Sequence, residues 1–163
     1  MFDRGVLFVG TAGVGLGVLA EVIAIDELRQ VGRDLPLRIY SATTHEDSTI
    51  DTALQRAMAR LPLDSAGSGL KPLGLYAFAG APRIDHVVMI DGTLPRSIKL
   101  ALGSNLDVRT WDMQTAEVHK LAPGQRVVRY LELASRLRPR IADLVTELTA
   151  LDGINGESIA HSA

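Results

Sequence analysis

The chain contains no cysteine. That single absence excludes disulfides, thiolate metal sites and any cysteine nucleophile. An excess of positive charge is missing too: 17 Lys and Arg stand against 19 Asp and Glu, a formal charge of -2. The resulting pI near 6.1 argues against general nucleic-acid binding and against polybasic attachment to a membrane surface. No apolar run is long enough to span a bilayer. The first one, Val6 to Val9, breaks at Gly10 before a secretory signal could form. A cytoplasmic protein that binds neither nucleic acid nor membrane, and needs no metal or cofactor, is the expectation.

What is present is the material of one ordinary domain. A chain of 163 residues, 47% hydrophobic, can bury a core of normal size. With no internal repeat and no low-complexity linker, residues 1–151 read as a single unit. The polar, small-residue end "DGINGESIAHSA", 152–163, reads as a flexible tail.

Strand and helix patterns alternate along that unit. The short continuous run Val6–Val9 marks a strand buried on both faces. Leu16, Leu19, Ala20, Ile23 and Leu28 recur at helical spacing, predicting a helix over Leu16–Val31 that ends near Gly32. Leu37–Ala42 is the second strand, and Thr49–Leu61 a helix capped by Ser48 or Thr49 and stopped by Pro62. The Gly-, Ser- and Pro-rich stretch that follows is mostly loop, with room for one short helix. His86–Ile90 gives a third strand, about Leu94 to Leu102 a helix, and Leu106–Trp111 a fourth strand. Met113–Gly124 reads as an irregular polar loop. Gln125–Leu151 closes the chain as a long helical segment, with Ile141, Leu144, Val145, Leu148 and Leu151 on one stripe and Pro139 expected to kink or split it. The fold class is therefore α/β: a three-layer sandwich whose central parallel four-stranded sheet is flanked by helices. Ligands in such folds bind beyond the carboxyl ends of the strands, which directs attention to Gly10–Gly17, Thr43–Ser48, Asp91–Leu94 and Asp112–Pro123.

The first of these loops, "GTAGVGLG", has the shape of an anion cradle. Backbone N–H groups feeding a helix N-terminus attract negative charge, and glycines at 10, 13, 15 and 17 allow close approach and positive φ. Thr11, Ala12, Val14 and Leu16 fill the positions between, so the turn has no Lys, Arg or Ser. The dinucleotide fingerprint fits poorly: Gly13 and Gly15 are followed by Val18, and no acidic residue ends the second strand. No Gly-Lys-Ser/Thr makes a nucleotide-hydrolase P-loop either. Glycine-rich turns also serve tight strand-to-helix packing alone, and that reading stands beside the first.

The run "VLFVGTAGVGLGVLAEVIA" resembles the opening of low-molecular-weight protein tyrosine phosphatases and thioredoxin-linked arsenate reductases, whose loop reads C-x5-R-S/T and leads towards Met-Ala-Glu. Leu19-Ala20-Glu21 stand in the latter place. "IYSATTHE", "LPLDSAGSGLKPL", "RIDHVVMID" and "LDVRTWDM" continue the likeness in order over roughly residues 5–150. The resemblance implies a cysteine nucleophile at Gly10, a phosphate-clamping Arg at Leu16, a thiolate-tuning Ser/Thr at Gly17 and a general acid near Thr115-Ala116, with Asp112 three residues early. None of the four residues matches. A thiolate makes the phospho-enzyme, an Arg fork steadies the phosphoryl charge, and a general acid is worth about 10²–10⁴-fold. The resemblance thus implies a catalytically inactive member, with no catalytic residue.

Two occupants of the old pocket are then expected. One is a weakly held anion or phosphorylated ligand on Gly10–Gly17 with Asp91, Trp111 and Asp112 nearby. The other is a protein partner or second copy, forming a homodimer on an apolar mouth made by Val14, Leu16 and Val18. The alternative is an enzyme of divergent hydrolase or nucleotide- or phosphate-dependent chemistry, using Asp91, Asp112 or His45 around the glycine loop. Each candidate has a plainer role: His45-Glu46-Asp47 as a solvated loop, Asp91-Gly92-Thr93 as a cap or turn, Trp111 as core packing. His86 reads as a structural histidine, and His119 and Lys120 as surface residues.

Overall fold

A computed structural model describes residues 4–10, 15–31, 36–44, 49–65 and 69–161, with the side chains of 151–161 left aside. Four strands, β1 (Arg4–Gly10), β2 (Leu37–Thr43), β3 (His86–Ile90) and β4 (Asp107–Trp111), form one parallel sheet in the order β2-β1-β3-β4. Val6 lies opposite Ile39 on one side and His86 on the other, and Val88 opposite Arg109.

The alternation of side chains splits the central strands between two cores. Val6, Phe8, Val88 and Ile90 face the helices α1 (Leu16–Val31), α2 (Thr52–Ala59) and α4 (Pro123–His161). Leu7, Val9, Val87 and Met89 face a thinner layer, made of the 3-10 helix Leu73–Ala77 and the short α3 (Arg96–Leu102). The continuous apolar run of β1 follows from this: both its faces are covered, so neither can be polar.

Helix α1 is buried all round for its first nine residues, Leu16 to Ala24, because it is wedged between the sheet and α4. Helix α4 presents Val127, Tyr130, Leu133, Leu137, Ile141, Leu144 and Leu148 to the core at three- and four-residue steps. Polar rivets fasten it: Arg138 to Asp26 and Glu27 of α1, Arg109 of β4 to Glu147, and Tyr130 Oη to Asp51 Oδ2 at 2.7 Å before α2.

Several details depart from the sequence expectations. The cap of α2 is Asp51, whose carboxylate accepts from Ala53 N, rather than Ser48, which lies outside the described residues, or Thr49. Met113–Gly124 is not an irregular polar loop: Met113, Thr115 and Val118 are buried and Thr115–Lys120 is a 3-10 helix. Pro139 does not split α4. It sits on the exposed face, where a proline's missing backbone N–H is tolerated better than in the core. Beyond Leu151 the backbone continues α4 to His161 instead of leaving the helix, since propagation from an existing helix needs no new nucleus.

Candidate functional site

The sheet reverses its winding between β1 and β3, so the crevice at their carboxyl ends is the natural ligand position. Gly10 ends β1 there. Its carbonyl accepts from Thr44 N at 3.2 Å. A Cβ built on Gly10 would lie 3.0 Å from Gly17 N, and one on Gly17 would lie 2.9 Å from Ala42 O, 3.0 Å from Phe8 O and 3.1 Å from Gly10 N. The first turn of α1 is therefore pressed directly on the backbones of β1 and β2, a contact open only to glycine. Gly15, with φ of 90°, turns the chain into α1, and its carbonyl accepts from Val18 N and Leu19 N. Thr11, Ala12, Gly13 and Val14 lie outside the described residues, as do His45, Glu46 and Asp47.

Leu16 is 1% exposed and Val18 equally enclosed; both belong to the main core. The expectation that they line an apolar mouth is corrected: α1 enters the interior at its first residue, and burying each such side chain contributes about 1.5–3 kcal/mol.

Asp91 follows β3 with φ of 55°, and Gly92 follows with φ of 107°. This pair of left-handed residues turns the carboxylate towards the chain leaving β4. Oδ1 accepts from Met113 N at 2.6 Å and Gln114 N at 3.3 Å; Oδ2 accepts from Thr115 N at 2.8 Å and Thr115 Oγ1 at 2.5 Å. Partial burial pushes the Asp91 carboxyl up, but the Thr115 hydroxyl and the three amides outweigh it and hold the group below the usual carboxylate range. Asp91 is thus a turn former and a cap, though not for the helix that follows it. The residue before α3 is Pro95, and the helix Asp91 caps begins at Thr115.

Asp91, Asp112 and Thr115 do come together, lining a cleft of ≈ 480 Å³ with Gly92, Thr93, Thr110, Gln114 and Ala116. Asp112 is exposed and accepts from Gln114 N at 3.2 Å. Trp111 does not reach this cleft; it packs on Phe8 with ring centroids 6.1 Å apart. His86 is structural, its Nδ1 3.0 Å from Asp107 Oδ2, and His119 and Lys120 are exposed. Among the described residues no group of three or more His, Asp or Glu side chains is arranged to hold a metal ion, and no helix is long and apolar enough to cross a membrane.

One ionisable residue in this region carried no site reading from the sequence. Glu21, one turn after Gly17, is only 5% exposed. Burial pushes its carboxyl above the usual range, against smaller opposing pulls from the Lys71 ammonium and the Ser41 hydroxyl. Ser41 Oγ itself is buried without a well-formed hydrogen bond. The available signal was a lone acid inside the apolar run "LGVLAEVIA".

No protein-family model matches the chain, and no curated protein matches its sequence. Solved structures do. An arsenate reductase in a phosphate-binding state superposes with a TM-score of 0.59 at 16% identity, over 88% of this chain and 98% of that one. A protein tyrosine phosphatase from Entamoeba histolytica gives 0.63 at 14% identity, over 90% and 97%. The chain has the low-molecular-weight tyrosine phosphatase fold. An arsenate reductase from Archaeoglobus fulgidus shares it too, with a TM-score of 0.57 at 17% identity over 86% of this chain and 98% of that one. At such identities the likeness establishes the phosphatase fold and leaves activity to the residues.

Proposed function

We propose that this chain is a pseudophosphatase: a phosphatase-fold protein acting as a binding or regulatory module rather than an enzyme. The observation that carries the reading is the backbone contact of Gly10 with Gly17 in a chain without cysteine. Where the resemblance calls for a nucleophile there is no side chain, and a Cβ there would press on Gly17 N of the helix N-terminus at 3.0 Å. The other three positions also serve the frame. Leu16 is core, Gly17 is a contact glycine, and Thr115 is buried against Asp91.

The rival reading, an enzyme built on Asp91 or Asp112, is weakened by the same geometry. Both oxygens of Asp91 already accept hydrogen bonds from the 113–115 segment, which leaves no basic lone pair facing the cleft. Asp112 is an exposed carboxylate whose only ionisable companion in the cleft lining is Asp91, already occupied by the 113–115 segment.

Incubation with p-nitrophenyl phosphate, with and without divalent metals, tests the proposal. No turnover above background is expected, and robust metal-independent hydrolysis would overturn it. Titration with vanadate, followed through Trp111 fluorescence, separates the binding modes. A flat response is expected of a protein-interaction module, and saturable binding at low millimolar concentration or tighter would favour an anion on the glycine turn.

A further inference from the structure

The two faces of the sheet are covered unequally. Helices α1, α2 and α4 protect one, whereas among the described residues the elements packed on the other are the 3-10 helix Leu73–Ala77 and α3, which has no fully buried residue. Large apolar side chains stand out from that thin layer: Phe78 is 72% exposed and Leu100 73%, with Leu75, just before Phe78, about half exposed. Clefts of ≈ 550 Å³ and ≈ 600 Å³ flank the carboxyl end of α3 and share Gly103 and Ser104. Phe78 lines the first and Leu100 the second, so an exposed apolar side chain stands at each of the two neighbouring clefts.

Its charge is one-sided. Arg96 and Lys99 line the second cleft, and the described residues give neither an ion pair. The sole acidic residue of either lining, Asp85, is already engaged by Gly5 N and Arg83 Nε. Exposed apolar side chains beside cations without an ion pair among the described residues are complementary to an acidic ligand with apolar anchors.

We propose that the α3 face is a docking surface for an acidic amphipathic helix of a partner protein. Phe78 and Leu100 receive the partner's apolar stripe, and Arg96 and Lys99 pair with its carboxylates. The lining of these clefts shares no residue with the glycine turn, and the proposal does not depend on the chain being inactive.

The test uses the whole chain and two synthetic helices of roughly 18 residues, five turns long. Both carry Leu at the i, i+3, i+4, i+7 spacing of groove-binding helices; one has Glu at the remaining positions and the other Lys. Binding is read by fluorescence anisotropy of the peptide and by amide shifts of the protein. The Glu peptide is expected to bind, to weaken with added salt, and to move the amides of residues 78 and 94–104. Arg96→Glu with Lys99→Glu should weaken it about tenfold, the combined effect of two exposed charge pairs, and Leu100→Ser should weaken it independently. These side chains are exposed, so the variants should fold, and unchanged far-ultraviolet circular dichroism checks that. Absence of binding, or equal binding of both peptides, overturns the proposal. So does a concentration-dependent dimer in sedimentation that Leu100→Ser abolishes, because a second copy would then be the occupant.

Discussion

Replacing Gly17 by alanine places one methyl group where α1 meets two strands. In an open helical position the change would stabilise by about 1 kcal/mol through helix propensity. Here the new Cβ would meet Ala42 O at 2.9 Å, Phe8 O at 3.0 Å and Gly10 N at 3.1 Å, all backbone atoms of strands locked into the sheet. Relief requires α1 to retreat by a few tenths of an ångström, carrying Leu16, Leu19 and Ile23 away from their core contacts. Overpacking of this kind costs about 1–3 kcal/mol. The upper half of that range applies because no neighbouring side chain can rotate away. Subtracting the propensity gain leaves a net loss of about 1–2 kcal/mol. For a chain of this size that lowers Tm by about 2–8 °C. Gly124→Ala is the matched control: nothing lies within 4 Å of its Cβ in the first turn of α4. Its gain of about 0.4–1 kcal/mol should raise Tm by about 1–4 °C. Differential scanning calorimetry of the two variants decides the matter. If Gly17→Ala is as stable as the wild type, the helix does not rest on the strands there, and the argument from close contact between Gly10 and Gly17 fails with it.

Asp91→Asn should destabilise by about 2–3 kcal/mol in denaturant unfolding, because the amide turns a donor towards N–H groups that now meet a carboxylate. The depressed Asp91 value means its contribution is complete above the ordinary carboxylate range and lost as pH falls through the folded-state value. An Asp91→Asn deficit that persists undiminished in strong acid would contradict this. Glu21 has the opposite sign. Its raised value gives a contribution present below the unfolded pKa and lost as pH rises through the folded one. Glu21→Gln should therefore match the wild type near pH 4 and exceed it in urea midpoint near pH 8; a difference that widened towards acid would refute the assignment. Tyr130→Phe removes the 2.7 Å bond to Asp51 and should cost about 1.5–3 kcal/mol, measured by chemical denaturation, whereas Ser135→Ala on the exposed side of α4 should cost little.

Much of the fold was legible because its signals are local. The buried run of β1, the helical spacing from Leu16 to Leu28 and the apolar block His86–Ile90 each announce their own element, and β3 falls at the predicted bounds. Where the sequence misled, a non-local contact overrode a local cue. Pro139 is a helix breaker in isolation, but it lies on the solvent face of a helix fixed by Leu133, Leu137 and Ile141. The polar composition of Met113–Gly124 suggested a loop because nothing local marks Met113 and Val118 as core residues. Their partners come from elsewhere in the chain.

The site was half legible for a related reason. A motif records which residue types are present, and the departures at Gly10 and Leu16 were readable on that basis alone. Orientation is not recorded. Leu16 and Val18 looked like an apolar rim because a loop preceding a helix ordinarily lies at the surface, but α1 dives beneath its own first turn and buries both. Asp91 looked like a free carboxylate or a local cap because the N–H groups that donate to it lie more than twenty residues downstream. Once Asp91 is occupied by Met113 and Thr115, the loop after β3 and the segment after β4 become one rigid unit. A mobile acid loop needs the freedom that this unit lacks. The four hydrogen bonds that occupy Asp91 therefore tie this end of the sheet together.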